Sequence, residues 1–89
     1  MVYKKYTYYV YVLQSKGNKC LYKCVTNDLK RRLKEHNSGN VPFTKNLMPW
    51  ELVYYEAYNH KEEAEQREKY LKSSDGKKDL RKRLTKSLI

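Results

Sequence analysis

Apolar and aromatic residues run without a break through Tyr8-Tyr9-Val10-Tyr11-Val12-Leu13. A segment apolar on both faces predicts a central strand covered on both sides. Turn residues follow at Ser15-Lys16-Gly17-Asn18-Lys19. Cys20-Leu21-Tyr22-Lys23-Cys24-Val25 then returns as a second strand and makes a hairpin. Thr26-Asn27-Asp28 supplies a helix N-cap and a first-turn acid. The helix is expected from about Asp28 to Asn37, with Ser38-Gly39-Asn40 stopping it. A long loop over 41–49 carries Pro42, Phe43, Thr44 and Lys45, with Trp50 at its end. Long ordered loops in small domains are often functional. Glu51 to Tyr58 reads as a third strand, and Asn59 with Glu62 has the spacing of a capping box. The second helix runs to about Lys72. Ser73-Ser74-Asp75-Gly76 ends it and caps a third, Lys77 to Ser87, anchored by Leu80 and Leu84. The order β-β-α-β-α-α predicts an α+β fold, a three-stranded antiparallel sheet flanked by helices.

The polar positions on two of these helices fall in unexpected places. At about 100° per residue, Leu29, Leu33 and His36 share one face of the first helix, and Arg32 lies beside them. Arg32 and His36 are one turn apart and adjoin the face that must meet the sheet. On the second helix, Ala64 and Leu71 mark the apolar stripe, Glu68 falls between them and Arg67 flanks it. A carboxylate on a buried side is costly unless it meets a cation, a metal or hydrogen-bond donors. One resolution is an Arg32–Glu68 ion pair. The other is a site at the sheet surface, with Arg32 and His36 on a phosphate and Glu68 on a divalent cation. Tyr11 and Tyr22 stand on hairpin partners nearby.

Composition then narrows the partner. The chain has 89 residues, so one domain over 1–89 is expected. Ten tyrosines and 39% apolar residues separate it from disordered chains, which are poor in aromatics. Twenty Lys plus Arg against 10 Asp plus Glu give a net charge of +10. That excess fits a polyanion partner, because Lys and Arg displace counterions from phosphates, and it also keeps a small protein soluble. No apolar window of about 18 residues exists, which excludes a transmembrane helix. Met1-Val2-Tyr3-Lys4-Lys5-Tyr6 lacks the apolar core and cleavage site of a secretory signal. Cys20 and Cys24 on one strand would lie about 13 Å apart. That is beyond the roughly 7 Å limit of a disulfide, so free thiols in a reducing cytoplasm are expected. His36 and His60 form no recognised zinc pattern with Cys-x-x-x-Cys.

Taken together, Tyr9-Val10-Tyr11, Tyr22-Lys23-Cys24 and the run Asn27-Asp28-Leu29-Lys30-Arg31-Arg32-Leu33-Lys34-Glu35-His36-Asn37 resemble the GIY-YIG nuclease domain. The likeness continues through Trp50 to Glu56 and through Glu63 to Lys72. It is nearest to the small stand-alone bacterial members, relatives of the nuclease domain of the excision-repair incision subunit. The resemblance implies a metal-dependent endonuclease acting on nucleic acid, DNA first, with a single Mg²⁺ or Mn²⁺ and a role related to repair. It also implies the roles. Tyr11 is the candidate general base, and Tyr22 orients water or phosphate. Arg32 stabilises the pentacovalent phosphate, His36 assists proton transfer or phosphate binding, and Glu68 binds the metal. Lys45 in the long loop, and Lys77, Lys78, Arg81 and Lys82 on the third helix, are candidate nucleic-acid contacts. Specificity would come from the chain's own surface or from a protein partner. One departure matters: Lys23-Cys24 stands where the second motif has an apolar residue and Gly. Glycine permits close backbone approach. The alternative function is therefore a catalytically weakened nucleic-acid-binding or adaptor module.

Overall fold

The computed structural model describes residues 7–86. Met1–Tyr6, read above for a signal sequence, and Ser87, the expected end of the third helix, lie outside them. The strands are β1 (Tyr8–Ser15), β2 (Leu21–Thr26) and β3 (Trp50–Tyr58), and the helices are α1 (Leu29–Asn37), α2 (Lys61–Leu71) and α3 (Ser74–Arg83). The sheet is antiparallel in the order β2-β1-β3. The expected α+β order and the central place of β1 are both observed.

The central strand explains its own lack of alternation. Val10 and Val12 point to one face and pack with Ala64 and Leu71 of α2 and Leu80 and Leu84. Tyr11 and Leu13 point to the other, where they meet Trp50, Tyr22, Cys24, and Leu29 and Leu33 of α1. Successive side chains of a strand leave on opposite faces. The sheet therefore separates α1 from the α2–α3 pair.

Three helix starts test the capping chemistry. Asp28 caps α1, and its side chain accepts a hydrogen bond from the Arg31 amide. The C-terminal end turns off through Gly39 at φ +82°, with the Asn40 amide returning to the Glu35 carbonyl. The capping box expected at Asn59 is not formed. The N-cap of α2 is His60, with no side-chain cap bond, and the Asn59 Oδ1 is buried without a partner. The reason is a tertiary tether. The Thr7 amide donates to the Tyr58 carbonyl and the Thr7 hydroxyl to the Asn59 carbonyl, which keeps Asn59 in the continuation of β3. Glu62 and Glu63 still place negative charge in the first turn of α2. The third helix starts earlier than its pattern suggests. Ser73 caps it by accepting from the Gly76 amide, and Gly76 lies inside its first turn rather than breaking the chain. A Cβ on Gly76 would overlap the Tyr70 carbonyl oxygen and the Leu71 Cα. Absence of a side chain lets α3 start directly against the end of α2.

Candidate active site

Helix α1 carries its polar residues to the sheet as its face pattern requires. His36 is fully buried, at 0% exposure, and Tyr11 is 1% exposed. The His36 Nε2 lies 3.0 Å from the Tyr11 Oη, and its Nδ1 lies 2.8 Å from the Thr44 Oγ1. Arg32 donates from Nε to the Tyr11 Oη at 3.4 Å and from Nη1 to Glu35 at 3.0 Å. Tyr22 packs its ring 5.1 Å from the His36 ring and 6.2 Å from that of Trp50. The structure thus brings Tyr11, Tyr22, Arg32 and His36 into one cluster.

One direction of donation gives every hydrogen of this chain an acceptor. Arg32 donates to Tyr11, Tyr11 donates to the Nε2 of a neutral His36, Nδ1–H donates to Thr44, and Thr44 donates to the Val41 carbonyl at 3.4 Å. The electrostatics agree. Burial, then the Arg32 guanidinium, lowers the His36 pKa and keeps the ring neutral. Burial, then Cys24, pushes the Tyr11 phenol well above its ordinary value, so it holds its proton. Tyr22 is raised for the same two reasons. Burial works against the Arg32 charge, but the hydrogen bonds to Tyr11 and Glu35 outweigh it.

Thr44 is the member that the sequence pattern leaves without a contact. It sits in the long loop, which is held firmly. The Trp50 indole donates to the Thr44 carbonyl at 2.9 Å. The Asn37 amide brackets the Trp50 backbone, and the Ser15 hydroxyl donates to the Leu47 carbonyl at 2.7 Å. Lys45 in a 3₁₀ turn and Phe43 are exposed on this loop. Glu35 is a second addition, as the ion-pair partner of Arg32.

The other sequence candidates lie apart from this cluster. Glu68 belongs to α2, on the Val10 and Val12 face, and its side chain is 23% exposed rather than buried. The Arg32–Glu68 ion pair is not formed: Arg32 pairs with Glu35, and Glu68 with Lys72 at 3.7 Å. Lys77 and Arg81 line one groove with Lys23, while Lys78 and Lys82 are exposed outside it. Cys20 and Cys24 are free thiols. Among the described residues, no three His, Cys, Asp or Glu side chains converge as a metal cluster. Among the sequence candidates, the one carboxylate that could hold a metal is Glu68, which pairs with Lys72. One carboxylate with waters and substrate phosphate suits Mg²⁺, which keeps most of its hydration. At the Arg32 end of the cluster, an open groove of about 300 Å³ is lined by Arg31, Arg32, Glu35 and Lys61 with Tyr8, Val25, Thr26 and Asn27; Arg32 is the one cluster residue on it.

Comparison with known proteins bears on this arrangement. The family model of the GIY-YIG catalytic domain matches residues 7–85. The chain belongs to the GIY-YIG family. Among relatives of this GIY-YIG domain, the UPF0213 protein of Bacillus pumilus is 42% identical over 79 residues, 86% of this chain and 80% of that protein. The UPF0213 protein of Clostridium perfringens is 43% identical over 65 residues, 72% of this chain and 69% of that one. The solution NMR structure of the UPF0213 protein from Bacillus halodurans matches with a TM-score of 0.51 at 37% identity, covering 82% of this chain and 80% of that one. No helix among the described residues is long and apolar enough to cross a membrane.

Proposed function

We propose that this GIY-YIG domain is an endonuclease that hydrolyses phosphodiester bonds of nucleic acid, with DNA as the expected substrate. The observation that carries the reading is the hydrogen-bonded chain Arg32–Tyr11–His36–Thr44, whose Arg32 end lines a groove with Arg31 and Lys61. Arg32, with its side chain 31% exposed, is the member that meets solvent. A phosphate entering the groove replaces Glu35 as the partner of the guanidinium, whose planar fork suits phosphate oxygens.

A raised phenol makes a poor free-standing base. The neighbouring imidazole resolves this. As water attacks phosphorus, its proton passes to the Tyr11 Oη, and the bond to the leaving sugar oxygen breaks with that oxygen taking a proton from solvent. The Tyr11 proton passes to the His36 Nε2, which becomes imidazolium while Nδ1–H stays on Thr44. Tyr22, half-buried beside His36, orients the water or the phosphate. Arg32 opposes the charge that builds on the phosphate oxygens, an effect worth about 10²–10³ in rate for one donor in comparable sites. Glu68 is the carboxylate that would hold a divalent cation, but it stands on α2, across the sheet from Arg32, so the cation would supply Lewis-acid stabilisation only to a phosphate that also reaches that side.

The test is incubation with single-stranded, duplex and branched DNA in Mg²⁺ or Mn²⁺. Cleavage is expected to fall at least about 100-fold in Arg32→Ala and to stop on chelation. Cleavage unchanged in Arg32→Ala and Glu68→Ala would overturn the reading.

A specific observation also favours the weakened module. Cys24 stands opposite Tyr11 in the β1–β2 register, and after burial it is the next influence raising both the Tyr11 and the Tyr22 phenol. Cys24→Gly separates the two readings. Activity that appears only in the glycine variant assigns the natural chain to binding without turnover.

A further inference from the structure

The reverse side of β2 carries chemistry that the cluster does not use. Lys23 follows Tyr22 on this strand, so the two side chains leave on opposite faces. Lys23 enters a groove of about 240 Å³ that it lines with Lys77, Arg81, Cys20 and Leu21. Lys77 and Arg81 are four apart on α3 and so share one face. Lys72, at the end of α2 and paired with Glu68 at 3.7 Å, adds the smallest of the influences on the Lys23 ammonium. Burial, and then Lys77, Arg81 and Lys72, depress the Lys23 pKa. Cations from β2, α2 and α3 are therefore gathered around one half-sheltered ammonium. Like charges held together in a sheltered place are unfavourable until a shared anion neutralises them. Lys77 is also the fourth residue of α3, at the helix end where the dipole disfavours positive charge.

We propose that Lys23, Lys77 and Arg81, with Lys72 at the margin, bind a second phosphate of the nucleic-acid backbone, away from the point of cleavage. This rests on the nuclease reading above. Strand β2 is an edge of the sheet, so a bound strand crosses that edge between the Tyr22 side and the Lys23 side. The departure of Lys23 from the family pattern then has a use: it converts a strand position facing α3 into a phosphate contact.

The experiment measures affinity for a duplex oligonucleotide by fluorescence anisotropy, without divalent metal, from about 50 to 200 mM salt. The full-length triple variant K23Q/K77Q/R81Q is compared with K16Q/K69Q/K86Q, which loses the same charge from exposed positions elsewhere. Each phosphate released lowers the slope of log affinity against log salt by about 0.9. The cluster variant is expected to lose about one unit of slope and at least tenfold in affinity, and the control much less. Its melting temperature should hold or rise, since mutual repulsion is removed, and Lys23→Gln alone should give a smaller loss in the same direction. Equal losses in cluster and control overturn the proposal and leave the nuclease reading intact. An equal loss together with retained capture of a polyglutamate peptide by wild type alone would give the groove to an acidic protein instead. Failure of wild type to bind or cleave any nucleic acid would overturn both readings.

Discussion

Thr44 shows how one hydroxyl governs a buried ring. It accepts from the His36 Nδ1–H and thereby leaves Nε2 facing Tyr11 as an acceptor. Thr44→Val keeps the shape and removes the acceptor, stranding a buried N–H at a cost of about 1–3 kcal/mol. Thermal or urea denaturation should show that loss, and cleavage should fall with it as the ring loses its orientation. The pH dependence has a definite sign. Because the folded His36 is lowered, the unfolded chain takes up the proton first as pH falls. Its contribution is therefore complete above about pH 6.5 and is lost below that, towards the folded-state value. His36→Asn should flatten that limb. Arg32 and His36 were legible in the sequence because helical periodicity fixes which residues meet the sheet. The Thr44 contact was not, since it depends on a loop folded back by Trp50 and Asn37 over distances that no local pattern encodes.

Helices α2 and α3 are joined to β3 by a polar clamp. Arg67 makes two hydrogen bonds to Glu56, at 2.9 and 3.1 Å, and Tyr54 and Tyr58 each donate to the same carboxylate. Arg67 also lies 3.8 Å from Asp79 of α3 and over the Tyr70 ring. Burial would raise the Glu56 carboxyl, but the bonds from Arg67, Tyr54 and Tyr58 outweigh it and lower it. Its stabilisation is thus present above the unfolded value near 4.3 and is lost as pH falls through the lowered folded value. Arg67→Ala is expected to cost about 1–3 kcal/mol at neutral pH, with the gap to wild type closing below about pH 4. Denaturation at the two pH values checks this. All six elements were legible, because the strand run, the turn residues and the Leu80–Leu84 spacing are local signals. Of the details missed, the start of α3 depends on how closely Gly76 meets the end of α2, and the cap of α2 on Thr7, 52 positions from Asn59.

Over the whole molecule, positive charge gathers about two grooves: Arg31, Arg32 and Lys61 about one, Lys23, Lys77 and Arg81 about another. The net charge announced a polyanion partner but could not divide these sets, because the division follows from the alternation of β2 and the placing of the helices. A partner that binds only the folded chain stabilises it by mass action, about 2.7 kcal/mol at a hundredfold over Kd. For a domain this size that is roughly 10–20 °C in Tm. A metal-free duplex oligonucleotide should give such a shift in scanning fluorimetry at low salt, and the shift should vanish near 0.5 M salt. Gly76 sets a different kind of limit on the molecule. Every other amino acid carries the carbon that would overlap the α2 backbone there, so a saturation library sorted for folded protein should return a single residue at position 76. Exposed Lys78 and Lys82, on the same helix, should accept most replacements.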